Sequence, residues 1–323
     1  CDATHIPPFA IADQPGCVSD RGSKETMTTR IIIGGTSSNA GKTSVSIALC
    51  HALTKRGLTV QAFKAGPDFL DPTYLTEATG RACFNLDGWM TGREYVTELF
   101  ENASANADVA VIEGVMGLFD GASASSSEGS AAELARWLDA TVLLVADAGG
   151  VARSFAAVIH GFASFEPKLR LAGVVANRVG SPKHGDMLRL ALESAPTELP
   201  PLLGAIPRGA FPMLPSRHLG LETADLERLP EESLDQLSSA VEEHIDIDRL
   251  LETSKCEDMR QSTSRKSRSP KQDEPVRIGI ARDRAFHFYY RDILDALIDR
   301  GCELISFSPI SDRALPEDLG GLI

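Results

Sequence analysis

Short apolar runs alternate along the chain with longer stretches in which apolar residues recur at helical spacing. Five runs predict strands, at residues 30–34, 59–63, 109–112, 141–146 and 171–176. The amphipathic stretches predict helices at residues 43–56, 91–105, 130–138, 152–163, 183–195 and 233–252. Because several strands are apolar throughout, both faces of their sheet should be covered. The pattern predicts an α/β fold with a mostly parallel, doubly wound sheet that binds ligands at the carboxyl ends of its strands.

This pattern is interrupted towards the C-terminal end. Residues 255–271 are polar, basic and rich in serine, without an apolar face, which favours a flexible linker. A docking patch for acidic partners is the less favoured interpretation. We therefore divide the chain into a first domain at 28–252, a linker at 253–275 and a second unit at 276–323.

Both ends of the chain differ from its middle. The second unit begins with a strand at 276–281, followed by a helix at 289–300 and a strand at 303–307. These residues are too few for an α/β domain of ordinary size, so we expect an incomplete domain. Residues 1–27 show no periodicity and lack the long apolar core of a signal peptide, which predicts a disordered leader.

Composition argues against several classes of function. The 323 residues are 43% hydrophobic and 24% charged, which is typical of a globular protein with a sizeable core. A formal net charge of −13 argues against a nucleic-acid binder and a polybasic membrane anchor, and no apolar run approaches the roughly 20 residues that span a bilayer. The six cysteines are scattered without a CxxC pair, which predicts reduced thiols and a cytoplasmic protein. Organellar targeting by the leader stays open.

The strongest chemical signal is RIIIGGTSSNAGKT, which ends the first strand and begins the first helix. A strand, a glycine-rich turn and Gly-Lys-Thr are typical of a phosphate-binding loop, in which backbone amides and the lysine bind phosphates and the threonine binds Mg²⁺. Five residues separate the two flanking glycines where the strict pattern has four, and a glycine-rich turn before an ordinary helix is the alternative. The candidate phosphate-binding residues are Gly35, Thr36, Ser37, Ser38, Asn39, Ala40, Gly41, Lys42 and Thr43.

Acidic residues follow the next two predicted strands. The string KAGPDFLDP places Asp68 and Asp71 in a loop shaped by glycine and proline, where both carboxylates can face a hydrated Mg²⁺. Lys64, at the start of this string, supplies a point charge for a phosphate or a substrate carboxylate. Glu113 occupies the place of a Walker B acid, which helps to hold Mg²⁺. For Asp71 alone, capping of a helix is the competing interpretation.

Three further polar residues have structural alternatives. Asp147 either accepts hydrogen bonds from a substrate or a loop, or caps the helix that follows it. Asn177 can pair with the donor and acceptor edge of adenine, or it is a structural turn amide. His218, in the string LPSRHLGL, is more typical of a packing histidine than of a catalyst.

Six strings occur together in this order: GTSSNAGKT, KAGPDFLDP, EGVMGLFDG, NRVGS, LPSRHLGL and ARDRAFHFYY. In this combination the chain resembles the cobyrinate a,c-diamide synthase family of corrin-ring amidases. The resemblance implies a P-loop domain of the dethiobiotin synthetase-like type, followed by the start of a class I glutamine amidotransferase-like α/β domain. It implies that ATP, with Mg²⁺, phosphorylates the c- and then the a-acetate carboxylate of cobyrinic or hydrogenobyrinic acid. Ammonia drawn from glutamine then displaces the phosphate.

The partners that the resemblance implies are the corrin substrate and ammonia or glutamine, with no nucleic acid and no membrane, and it is compatible with a homodimer. Roles carried over by motif fall into three groups: catalytic, Lys42, Lys64 and Asp71; Mg²⁺-binding, Thr43, Asp68 and Glu113; and adenine-contacting, Asn177.

The chain also departs from the family pattern. Phe69 and Phe119 stand where tyrosine is common. The nucleophilic cysteine and the downstream histidine of the family's second domain have no counterpart, since Cys302 comes too early in the chain. We therefore expect no glutaminase activity from this sequence.

Several competing hypotheses remain. A partition- or division-site ATPase would place a second lysine in the loop, at the position of Ser37. Cobyric acid synthase amidates other side chains of the corrin, and dethiobiotin synthetase is shorter and has no second domain. A non-catalytic ATP-binding protein is opposed by the intact Lys42, Thr43, Asp68 and Glu113.

Overall fold

The computed structural model describes residues 29–212, 229–255, 275–283 and 285–323. The predicted leader, most of the predicted linker, and the string LPSRHLGL with His218 lie outside the described residues.

Seven parallel strands form the main sheet, in the spatial order β3-β2-β4-β1-β5-β6-β7. In chain order they are β1 Thr29–Gly35, β2 Val60–Ala65, β3 Phe84–Leu86, β4 Val109–Glu113, β5 Thr141–Asp147, β6 Leu171–Val179 and β7 Leu202–Pro207. The central strand β1 is buried along its whole length, between β4 on one side and β5 on the other. The carboxyl ends of the three central strands therefore meet at one edge.

Within the described ranges, eight helices accompany this sheet: α1 Lys42–Lys55, α2 Asp71–Thr79, α3 Gly88–Ser104, α4 Ala131–Trp137, α5 Ser154–Phe165, α6 Pro182–Glu193, α7 Glu231–His244 and α8 Ile247–Thr253. Apolar residues of α1, α2, α7 and α8 form one core with one face of the sheet, and those of α3, α4, α5 and α6 form a second core with the other. In β1, Ile31 and Ile33 join the first core while Ile32 joins the second. The predicted doubly wound sheet is confirmed.

All five predicted strands are present, but two strands and one helix were missed. β3 has only three residues, too few to give a pattern, and Gly204 interrupts the apolar run of β7. The missed helix is α2, which begins at Asp71 itself. The single helix predicted at 233–252 is wrong, because the chain leaves the helix at Ile245 and forms a bridge with Gly204 before α8 begins.

The C-terminal unit, residues 275–323, contains a second parallel sheet in the order β10-β8-β9. Its elements are β8 Val276–Ala281, α9 Arg291–Asp299, β9 Cys302–Phe307 and β10 Gly321–Leu322. The predicted strand–helix–strand order is found, although α9 starts after Tyr290, which is extended and forms the N-cap. The unit contacts the first domain through the hydroxyl of Tyr95 in α3, which donates a hydrogen bond to Asp292.

None of the helices in these ranges combines the length and the apolar character that a bilayer crossing requires.

Gly204 gives a direct test of how α7 and α8 are attached to the sheet. An added Cβ at this position would lie 2.7 Å from Ile245 Cγ1 and 2.8 Å from the carbonyl oxygen of His244. We expect Gly204→Ala to lower the free energy of unfolding by about 1–3 kcal/mol, because backbone has to move to relieve the overlap. Urea denaturation measures the change.

Gly161→Ala is the matched control, since its helical position in α5 has no atom within 4 Å of the added carbon. It should raise the free energy of unfolding by up to about 1 kcal/mol. Equal effects of the two substitutions would contradict the close approach at Gly204.

Candidate functional site

The predicted phosphate-binding loop links β1 to α1 at the carboxyl edge of the main sheet. Asn39 and Gly41 adopt positive φ angles of 61° and 104°, and the Thr36 amide donates to the carbonyl oxygen of Val145 in β5 at 3.0 Å. No side chain of the described residues caps the start of α1, where Gly41 is the N-cap. The N-terminus of this 14-residue helix carries partial positive charge, and an anion such as a phosphate suits it.

Lys42 folds back across the loop. Its side chain is 8% exposed, and Nζ donates to the carbonyl oxygen of Ser37 at 3.1 Å. An added Cβ on Gly35 would lie 2.9 Å from Lys42 Cδ, so glycine is needed for this approach. Burial lowers the pKa of Lys42, and the nearby charge of Lys64 lowers it further. The lysine thus lies over the loop whose phosphate-binding role the sequence predicts.

Asn177 lies against the same loop from β6. Its Nδ2 donates to the carbonyl oxygen of Ala40 at 2.9 Å, and its Oδ1 accepts from the amide of Arg178 at 2.9 Å. An added Cβ on Gly41 would come within 2.1 Å of Nδ2. These contacts give Asn177 a structural role in holding the loop, and its contact with adenine stays a prediction.

Arg178 was not foreseen as a site residue, although it stands within the string NRVGS. It has a positive φ of 59°, and its guanidinium donates to the carbonyl oxygen of Asn39 at 2.8 Å and to Asp147 at 2.5 Å. Asp147 also accepts from the Gly149 amide at 2.8 Å. Of the two interpretations of Asp147, the loop acceptor is the one observed, because the N-cap of α5 is Arg153.

A charge cluster forms beside the loop, where β2, β4 and α2 meet. Lys64 and Glu113 are register partners on neighbouring strands, and Asp71 is the first residue of α2. Lys64 Nζ lies 2.6 Å from Asp71 Oδ2, 3.1 Å from Glu113 Oε1 and 3.8 Å from Asp68 Oδ2. The Thr43 hydroxyl donates to Glu113 Oε1 at 2.5 Å and lies 3.5 Å from Asp71 Oδ2. The cluster thus brings together all the predicted catalytic and Mg²⁺-binding residues except Lys42, which lies over the neighbouring loop.

Burial and the neighbouring charges compete in this cluster. Burial raises the pKa of Glu113 to about 7, and the charge of Asp71 adds to the shift while Lys64 opposes it. Burial on its own lowers the pKa of Lys64, but Glu113, Asp71 and Asp68 outweigh it, so the pKa of the ammonium is raised. Lys64 is therefore charged at neutral pH, as the shared counterion of two buried carboxylates.

The donor set of the cluster suits Mg²⁺. Among the described residues, no hydrogen-bond partner meets the buried Oε2 of Glu113. In the same part of the chain no group of three or more His, Cys, Asp or Glu side chains is arranged to hold a metal on its own. Mg²⁺ typically keeps several waters and binds only one or two carboxylates together with substrate phosphates. Oxygen donors from Thr43, Glu113 and Asp68 fit that mode of binding.

A cleft of about 1130 Å³ opens over the loop and the charge cluster. This is the upper end of the size usual for small-molecule sites. One wall of the cleft is formed by the end of β7 and the residues that follow it. Sequence analysis missed this wall because it missed β7. The wall residues are Pro207, Arg208, Gly209, Phe211 and Pro212.

The comparisons with known proteins agree with this geometry. Residues 31–221 match the family model described as the CobQ/CobB/MinD/ParA nucleotide binding domain. The chain belongs to this family. It is 53% identical over 294 residues to a cobyrinate a,c-diamide synthase from Syntrophotalea carbinolica, and 44% identical over 303 residues to one from Leptospira interrogans. The resemblance inferred from the six strings is thereby confirmed.

The chain spans less than two thirds of the length of those two relatives. Each alignment covers 91% of this chain and 63% of the relative. Among solved structures, the crystal structure of cobyrinic acid a,c-diamide synthase from Mycobacterium smegmatis with bound ADP and magnesium is 18% identical, with a TM-score of 0.35. That match covers 56% of this chain and 87% of the other, and similarity at this level does not bear on function.

Lys42→Ala should weaken the binding of nucleotide while leaving the fold intact. The substitution removes one buried cation at the loop, and a charge-assisted contact of this kind is worth roughly tenfold to a hundredfold in affinity. Isothermal titration with ATP measures the loss, and circular dichroism checks the fold. Lys55→Ala, at the exposed end of the same helix, is the control and should bind as the parent does. If circular dichroism showed that Lys42→Ala is unfolded, the loss of binding would come from the lost fold and not from the missing lysine contact.

Lys64→Met should destabilise the protein by about 3–5 kcal/mol at pH 8, because it removes the ammonium that two buried carboxylates share. The effect should shrink towards about pH 5. A carboxyl whose folded-state pKa is raised favours folding below its unfolded value, and this contribution is lost as the pH rises. The pKa of Glu113 is already about 7 with the ammonium present.

Urea denaturation between pH 5 and pH 8 provides this measurement. Lys183→Met, at an exposed position of α6, is the control and should change little at either pH. A loss of stability in Lys64→Met that did not depend on pH would contradict the buried pairing.

Proposed function

We propose that this chain carries the ATP-dependent synthetase activity of a cobyrinate a,c-diamide synthase. In this reaction the a- and c-acetate carboxylates of cobyrinic or hydrogenobyrinic acid are converted to amides. The observation that carries the proposal is the meeting of the phosphate-binding loop with the charge cluster in one cleft. The similarity to proteins of that name, over 91% of the chain, supports the corrin as the substrate.

Binding of ATP would use the loop from Gly35 to Thr43. Its backbone amides and the first amides of α1 face the phosphates, with Lys42 as their cation. Asn177 uses one amide hydrogen on Ala40, and the second hydrogen of Nδ2 is the group we assign to adenine. Mg²⁺ would be held by Thr43, Asp68 and Glu113, and when bound it supplies positive charge to the phosphates.

The charge cluster suits the activation of a carboxylate. A carboxylate is a poor electrophile towards ammonia, and transfer of a phosphoryl group to it creates a mixed anhydride with a good leaving group. Before this transfer, the substrate carboxylate and the ATP phosphates have to approach each other. Both are anions, so the site must offset their repulsion. Lys42 and Lys64 supply fixed positive charge for that purpose, and Asp71 keeps the Lys64 ammonium in place at 2.6 Å. Ammonia then attacks the acyl carbon, and inorganic phosphate leaves.

The division of labour along the chain is also a proposal. Residues 28–252 would form the synthetase domain, 253–275 the linker, and 276–323 the start of a glutamine amidotransferase-like domain. The parallel strand–helix–strand unit β8–α9–β9 supports this assignment, since it is the unit from which α/β domains are built. The ammonia would come from glutamine or from free ammonium.

Release of phosphate from ATP and Mg²⁺ tests the proposal. Turnover should depend on cobyrinic or hydrogenobyrinic acid and on ammonium, and mass spectrometry should find carboxylates converted to amides. Asp71→Asn should lower the rate about a hundredfold or more, because it loosens the cation beside the reacting groups. Asp186→Asn, exposed on α6, is the control and should keep full activity.

Other outcomes of the same assay point elsewhere. Stimulation by 7,8-diaminononanoate in place of a corrin would favour a dethiobiotin synthetase-like ligase. Tight nucleotide binding without turnover on any carboxylic acid would favour a non-catalytic ATP-binding protein.

A further inference from the structure

A cluster of aromatic rings joins the C-terminal unit to the nucleotide site. Phe69 stacks on Phe288 at a centroid distance of 5.1 Å and on Tyr290 at 5.0 Å, with interplanar angles of 26° and 22°. Phe69 belongs to the acidic loop, defined here as residues 66–70. Phe69 stands between Asp68 of this loop and Asp71 at the start of α2, and both carboxylates belong to the charge cluster.

The backbone of the acidic loop is held from β3. The Gly66 amide donates to the carbonyl oxygen of Leu86 at 3.0 Å, and Asn85 Nδ2 donates to the carbonyl oxygens of Gly66 and Asp68 at 2.9 and 2.7 Å. Asp68 Oδ1 accepts the amide of Leu70 at 2.9 Å. Among the described residues, both rings that stack on Phe69 belong to the C-terminal unit. The loop is therefore supported from β3 through its backbone and from the C-terminal unit through the Phe69 ring.

The other partner is the junction segment, defined as residues 286–290. It is anchored to the second sheet, since the Tyr289 hydroxyl donates to the carbonyl oxygen of Ala281 at 2.8 Å. The carboxylate of Asp283 accepts the amide of Phe286 at 3.1 Å, and the His287 ring lies edge-on to Phe288 at 4.2 Å. The junction segment can therefore transmit the position of the second sheet to Phe69.

We infer that Phe288 and Tyr290 are positioning residues, which hold the acidic loop so that Asp68 and Asp71 keep their places beside Lys64. The consequence for catalysis rests on the proposed function, but the positioning itself does not. Displacing a carboxylate by about 1 Å is enough to cost a large factor in rate. The synthetase site thus depends on the C-terminal unit, although none of that unit's described residues lines the cleft.

Hydrogen exchange of the acidic loop tests the positioning without any ligand. In the full chain carrying Phe288→Ala and Tyr290→Ala, the amides of Leu70 and Asp71 should exchange about tenfold faster or more, because the loop opens more often. Both amides donate to Asp68 Oδ1 in the parent. Unchanged exchange in this double variant would overturn the inference.

Two further variants separate positioning from packing. Phe286→Ala removes a ring from the same segment that is 47% exposed and has no described ring contact, so exchange of the acidic loop should stay as in the parent. The single variant Tyr290→Phe keeps the stacked ring, so the amides of the acidic loop should exchange as slowly as in the parent. A double variant with a lower melting temperature but parental exchange in the loop would show a structural role only, and would also overturn the inference.

Kinetics supply the second measurement. The double variant should lower kcat for corrin-dependent phosphate release about tenfold while KM for ATP changes little, because the phosphate-binding loop is left in place. A parental kcat in a double variant whose loop exchanges faster would overturn the link to catalysis. If the parent chain shows no corrin-dependent turnover, the proposed function fails, and the exchange experiment still decides whether the aromatic contact positions the loop.

Discussion

Complete burial of the central strand is the constraint on which the site depends. Every residue of β1 is buried, because strands pair with it on both sides and helices cover both faces of the sheet. Parallel pairing then sends the carboxyl ends of β4, β1 and β5 to the same edge. Gly35 leaves room at the end of β1 for the Lys42 side chain, and Gly41, with a φ of 104°, leads the chain into α1. Every polar group that we assign to the nucleotide lies at that edge.

The charge cluster shows how the fold tolerates a buried ammonium. A lone charge at the position of Lys64 would be strongly disfavoured, and Asp71 and Glu113 make it acceptable at hydrogen-bond distance. Lys64 in turn opposes the rise that burial causes in the pKa of Glu113, which stands at about 7. The contacts of Lys64 with Asp71 and Glu113 thus stabilise the fold and also position the charged groups of the candidate site.

Much of this was predictable from the sequence, for stated physical reasons. Continuous apolar runs predicted five of the seven strands, and strand ends of a parallel sheet must converge, so grouping Lys42, Lys64 and Glu113 followed from their positions alone. Helical periodicity could not foresee the break at Ile245, because its cause is a backbone bridge to Gly204 far away in the chain. The link from Arg178 to Asn39 and Asp147 was hidden for a similar reason, since it depends on the left-handed backbone of Arg178 near the end of β6.

The pairing of β2 with β4 also bears on how the chain avoids misfolding. Lys64 faces Glu113 only when the two strands are correctly aligned, and its neighbour Phe63 points to the opposite face, among the aromatic rings of Phe84 and Phe100. If β2 slipped by one residue, the Lys64 ammonium would be buried among those aromatic rings without a counterion, and the Phe63 ring would face the carboxylates. This misaligned arrangement would have a much higher free energy than the native one. The charged residues of the cleft therefore help to specify the register of the sheet that carries them.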